Sequence, residues 1–215
     1  MDGSGIEYSP HEPIHLDGLL SWCLVEKHPE YTHDRDGQPT ELDLPLKKWE
    51  SPEDWCWKAS ALAPEGWNME TIRYVRRHFD VGLSTLCAGK PNTIGLRYKD
   101  RNDPHTFQIV TALAAYADTE EPEIIQRELH KLKYLGRGVA RGNGRIRKIR
   151  FEEADDDLSV LKNGIAARYV PHPQGWKYVR CRPEYWRTLG RVHCFTPGDA
   201  LPQEGTHDLR RKDES

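Results

Sequence analysis

Residues 122–151 restrict the fold most, because a proline-opened helix, a glycine-rich loop and a basic extended run follow one another there. Pro122 heads EIIQRELHKLKYL, and proline suits a first helical turn, where its missing N–H has no partner to lose. Ile125, Leu129 and Leu132 recur on one face, the stripe that a helix buries. Gly136 stands where a glycine ends a helix in the left-handed conformation. RIRKIRF (145–151) then reads as a last core strand. Ile146 and Ile149 cannot share one face of a regular strand, so the spacing predicts a bulge at Arg147 or Lys148.

Upstream, IEYS (6–9) reads as a short first strand, and Asp17 as the N-cap of GLLSWCLVEK, a helix ending near His28 before Pro29. Residues 29–67 hold five prolines and four tryptophans and read as an irregular insertion packed by its aromatics. NMETIRYVRRHF (68–79) reads as a second helix, with Ile72, Val75 and Phe79 in one stripe and Arg73, Arg76 and Arg77 to one side of it. TIGLRYK (93–99) alternates in period two and pairs with HTFQIVTALAAY (105–116) across the turn-rich DRNDP. The order strand, helix, insertion, strand, strand, helix, strand predicts an α+β, ferredoxin-like split βαβ core. The whole chain, 1–215, is read as one domain: core 6–27 and 93–151, insertion 28–92, C-terminal extension 152–197, polar tail 198–215. The extension is expected to form a hairpin from IAARYV and WKYVRC around PHPQG.

Charge then separates the function classes. The chain of 215 residues is net acidic, at −3, so nothing global suggests a nucleic-acid partner. Locally, KLKYLGRGVARGNGRIRKIR (131–150) carries eight Lys or Arg and no acid. Its glycines let the backbone approach a ligand, and its arginines suit phosphate oxygens. The plainer reading is a helix cap followed by a solvated basic strand. No Lys-Ser or Lys-Thr follows the glycines and the loop runs from helix to strand, which excludes a P-loop and a dinucleotide fingerprint. The acidic run 152–157 lacks the alternation of a calcium loop and reads as a surface turn. Five dispersed cysteines form no C-x-x-C pair and read as reduced thiols, and Cys181, His193 and Cys194 lack a fourth ligand at zinc spacing. No apolar run approaches the ~18 residues of a membrane span, and the first residues lack the features of a secretory signal. No metal or cofactor is expected.

PIHLDGLLSWCL (13–24), LKYLGRGVARGNGRI (132–146), ARYVP (167–171) and RPEYW (182–186) together resemble RAMP-superfamily CRISPR proteins. Within that superfamily they resemble the subunit of type IV effector complexes that binds the five-prime handle of the guide RNA. The resemblance implies an RRM-related, ferredoxin-like domain and a prokaryotic, cytoplasmic, non-catalytic RNA-binding role. The implied partners are guide RNA (crRNA), backbone and large subunits and, indirectly, target DNA, with no membrane. Gly136, Arg137, Gly138, Arg141, Gly142, Asn143, Gly144 and Arg145 would face RNA, joined by Arg147 and Lys148 and by the second basic cluster, Arg73, Arg76 and Arg77. The alternatives are a metal-independent endoribonuclease processing precursor guide RNA, with His15 and Tyr134 as its candidates, and a free-standing adaptor or inhibitor that mimics the subunit. No catalytic residue is assigned on the leading reading.

Overall fold

The computed structural model describes residues 5–7, 12–25, 41–51, 54–77, 101–137 and 139–202. The strand expected over 93–99, the end of the first helix near His28 and most of the polar tail lie outside them.

The architecture is α+β, with two long strands, several short ones and two α-helices among the described residues. Strand β1 (Ile6–Glu7) precedes helix α1 (Leu16–Val25). A hairpin of β2 (Lys48–Glu50) and β3 (Trp55–Trp57) follows within the insertion expected to be irregular. Leu44, Leu46 and Trp57 from this stretch enter the main core beside Leu20, Ile125 and Leu129.

The helix expected over 68–79 is not formed. Residues Ala63–Arg77 are strand β4, paired antiparallel with β5 (Arg101–Ala114) from Ala63↔Ala114 to Arg77↔Arg101. Thr71, Ile72, Tyr74 and Val75 form a β-branched and aromatic run that favours extended backbone. Of the apparent helical stripe, Ile72 is exposed, Val75 is half-buried and Phe79 lies outside the described residues. DRNDP is not a turn either: Arg101 to Pro104 continue β5. One bulge interrupts the ladder between Glu65 and Asn68, at Gly66, whose φ of +75° is the left-handed conformation of such sites.

β5 also pairs with β1, giving the strand order β1-β5-β4, all antiparallel. Helix α2 (Pro122–Leu129) follows, with Ile125, Leu129 and Leu132 buried as the stripe requires. It ends at His130, so Gly136 does not cap it. The last core strand is also absent. Only Tyr134 and Arg145 form a β-bridge, after which 146–151 runs without strand pairing. Ile146, Ile149 and Phe151 pack on the main core while Arg147, Lys148 and Arg150 are exposed. The three-residue spacing of the isoleucines reflects a chain that follows the core without a sheet partner to impose period two.

The C-terminal extension contains the hairpin β6 (Leu161–Lys162) and β7 (Ile165–Ala166). Strands β8 (Val170–Pro171) and β9 (Lys177–Val179) do not pair as expected. β10 (Val192–Phe195) lies between them, in the order β8-β10-β9. Its residues were too few and too mixed to signal a strand. No helix among the described residues is long and apolar enough to cross a membrane.

Asp17 is not an N-cap. It lies inside the first turn of α1, and besides accepting from the Gly18 N–H at 3.0 Å it meets Arg168 at 3.0 Å, both side chains fully buried. Arg168 also donates to the carbonyls of Trp57, Ala59 (2.9 Å), Tyr169 (3.3 Å) and Cys181 (2.6 Å) and to the Tyr185 hydroxyl (2.9 Å). Tyr185 in turn donates to Asp17 Oδ1 at 2.8 Å. Burial raises the Asp17 carboxyl above its usual range, against the pull of Arg168 and Tyr185. This network ties helix α1 and strand β3 to the C-terminal extension.

Candidate functional site

The basic segment 131–150 is positioned by β1. The Arg137 N–H donates to the Glu7 carbonyl at 2.7 Å, and the Gly144 N–H to the Gly5 carbonyl at 2.7 Å, so the glycine-rich loop leaves and rejoins the free edge of that strand. Gly136, with φ +81°, lies so close to β1 that a Cβ would stand 2.6 Å from Ile6 Cγ2 and 2.7 Å from the Glu7 carbonyl oxygen. Gly144, with φ +68°, lies against the Leu135 carbonyl. Gly142 also has positive φ but opens to free space. Between them Val139–Arg141 form a 3-10 turn, and the Asn143 side chain is buried. Gly138 and the Arg141 side chain lie outside the described residues.

Where the loop rejoins the chain, Leu135 N–H donates to the Gly144 carbonyl and Ile146 N–H to the Lys133 carbonyl, both at 2.9 Å. These bonds flank Tyr134 and Arg145, which are therefore a directly opposed pair without mutual hydrogen bonds. Such pairs bring side chains closest, on one face. Beyond this bridge lies a groove of about 530 Å³, lined by His130, Lys133, Tyr134, Arg145, Arg147 and Lys148 together with Leu132, Ile146 and Ile149.

Ion pairing distinguishes the cations. Arg127 and Lys131 share the buried carboxylate of Glu128, and Arg137 pairs with Glu12. Among the described residues no carboxylate pairs with Lys133, Arg145, Arg147 or Lys148. The predicted residues Arg145, Arg147 and Lys148 thus come together, while Arg137 is already occupied by a carboxylate. Lys133 and His130 join them. Lys133 belongs to the basic run, but its approach to Arg147 depends on how the chain folds back after Gly144.

The second basic cluster is divided. Residues opposed across antiparallel strands share a face. Thr71, Phe107, Glu7 and Arg137 therefore form one row across the sheet, with Arg73 and His105 in the next row on that face. Arg73 stacks on Phe107, 4.7 Å from the ring centre, on the same face as the root of the loop and roughly 15 Å from it at ordinary strand spacing. Arg76 lies on the opposite face of β4, and the Arg77 side chain lies outside the described residues. Asp157, in the acidic run, pairs with Lys58 at 2.8 Å and is held down to about 2: burial raises it, but the bonds from Lys58 and Ser159 outweigh that.

His15, a candidate base, is buried, stacked on Tyr185 at 4.6 Å and tilted on Tyr169, and among the described residues neither ring nitrogen has a hydrogen-bond partner. Burial, with Arg168 nearby, holds its pKa well below the ordinary value of 6.5. The folded protein therefore refuses a proton that the unfolded chain accepts. Its contribution to stability is complete above pH 6.5 and falls as the pH drops below it, by up to about 1.4 kcal/mol per pH unit. In urea denaturation at pH 7.5 and 5.5, His15→Phe is expected to lose less stability between the two values than the wild type. Equal losses would show that His15 does not titrate on unfolding.

Residues 3–112, half of the chain, match the family model "CRISPR type IV associated protein Csf3". The chain belongs to this family. A comparison with curated proteins found no match. Membership bears out the resemblance to type IV CRISPR proteins read from the motifs and makes the chain a component of such a system. The matched region contains Asp17 and Trp57, whereas Arg168 and Tyr185 lie beyond it, so the C-terminal part completes the core of the part that identifies the family.

Proposed function

We propose that this protein is a non-catalytic guide-RNA-binding subunit of a type IV CRISPR ribonucleoprotein, gripping the five-prime handle beside the backbone and large subunits and meeting target DNA only through the guide. A cytoplasmic place of action follows from that role. The finer fold reading supports it: β1-β5-β4 with α1 and α2 is the order of three strands of a ferredoxin-like split βαβ, and the glycine-rich loop stands at the edge where a fourth strand would pair. The observation that carries the proposal is the set of carboxylate-free cations, Lys133, Arg145, Arg147 and Lys148, gathered on a net-acidic chain of a CRISPR family. Uncompensated like charges raise one another's potential, and a polyanion relieves it.

Each phosphate neutralised on single-stranded nucleic acid contributes about −0.7 to the slope of log affinity against log salt. Replacing Arg145, Arg147 and Lys148 together by alanine is expected to flatten that slope by about 2 and to weaken binding across many RNA sequences. An unchanged slope and affinity would overturn the proposal. Repeat RNA incubated with the protein in chelator is expected to stay intact, since His15 is sealed in the core and Tyr134 has no acid–base partner assigned to it. Cleavage would favour the endoribonuclease reading.

A further inference from the structure

The groove beyond the glycine-rich loop has more than charge. Tyr134 is 37% exposed, and the opposed pairing with Arg145 puts an aromatic ring beside a guanidinium that no carboxylate holds. Both are surfaces on which a nucleobase stacks, and stacking is tolerant of base identity. Lys133, Arg147 and Lys148 line the same opening. Its apolar lining is fixed, because Leu132 is buried and Ile146 and Ile149 pack on the main core. Its walls are two stretches of backbone: Ile146 N–H donates to the Lys133 carbonyl, and beyond that bond 147–149 carries no strand pairing. The volume, about 530 Å³, falls among ordinary small-ligand pockets and accommodates a nucleotide or two. A duplex, with its bases paired inward, offers such a groove phosphates but no ring face.

We infer that this groove holds unpaired RNA nucleotides, with a base stacked on Tyr134 beside Arg145 and the flanking phosphates on Lys133, Arg147 and Lys148. The inference rests on the proposed RNA-binding role and sharpens it. It adds a base-stacking position outside the glycine loop and makes the ligand single-stranded at that point.

Fluorescence anisotropy of the full chain with labelled oligouridine, an abasic oligomer of the same length and a duplex RNA tests it. Tyr134→Ala is expected to weaken oligouridine binding about 5- to 150-fold, the range for losing one stacked base, while leaving the salt slope in place. Tyr134→Phe, which keeps the ring, should bind like the wild type. Arg147→Ala with Lys148→Ala should instead flatten the slope by about 1.4. The abasic oligomer should bind the wild type about as weakly as oligouridine binds Tyr134→Ala. Thermal midpoints of the variants identify any that fail to fold, in which case the abasic comparison on the wild type decides. If the wild type binds no RNA, the proposed function itself fails. If it binds RNA but discriminates against neither the abasic oligomer nor the duplex, the groove holds backbone alone and the stacking position is overturned.

Discussion

Replacing Arg168 by methionine is expected to remove about 3–5 kcal/mol of folding stability, a large share of what a single domain possesses. The side chain is fully buried and serves several acceptors at once: the Asp17 carboxylate, the Tyr185 hydroxyl and the carbonyls of Trp57, Ala59, Tyr169 and Cys181. Methionine fills similar space but leaves the Asp17 charge without a cation in a water-free site. Most of the loss arises there, because an unpaired buried charge costs more than a well-made pair contributes. Adding Asp17→Asn to Arg168→Met removes that charge, so the double variant is expected to be more stable than Arg168→Met alone. Urea denaturation of the two variants checks this. A loss below about 1 kcal/mol in the single variant would show that the C-terminal extension is held to helix α1 by its apolar contacts instead.

The second large effect is expected at Gly144. A Cβ there would stand 1.8 Å from the Leu135 carbonyl oxygen, and the residue adopts φ +68°. No rotamer relieves a clash with backbone, so Gly144→Ala must shift the loop. That shift sacrifices the 2.7 Å bond to Gly5 and the 2.9 Å bond from Leu135. The left-handed conformation costs a non-glycine residue about 1–2 kcal/mol and each of the two lost bonds about 0.5–1.5, which together make roughly 2–5 kcal/mol. Because Arg145 is the next residue, RNA affinity should fall with it. Gly142→Ala is the contrast: the same sign of φ, but nothing within 4 Å, so only the conformational cost remains. Thermal unfolding and RNA binding of both variants should separate them, and equal behaviour would show that the loop relaxes freely.

The endoribonuclease alternative had His15 and Tyr134 as its candidates. His15 is buried between Tyr169 and Tyr185, and its consequence in the fold is the loss of stability below pH 6.5.

Local signals identified what local physics controls. Ile125, Leu129 and Leu132 made the stripe of α2, and Pro122 marked its start, because helix periodicity and N-terminal proline act within a few residues. The concentration of cations at 131–150 was likewise a property of the sequence alone. What depended on distant partners was not legible there. Residues 63–77 carried spacing compatible with a helix until β5 supplied a pairing edge along their whole length. Asp17 had the position of a cap, but Arg168, 151 residues away, made it half of a buried ion pair. Residues 145–151 looked like a strand, but among the described residues none pairs with them beyond the Tyr134–Arg145 bridge. Past that bridge lies the groove in which the cations predicted from sequence meet Tyr134 and Lys133. Which residues carry the charge is a local property of the chain, readable before it folds. The tertiary structure decided which of them are left without a carboxylate and which share a surface, because both depend on chain segments that meet only after folding.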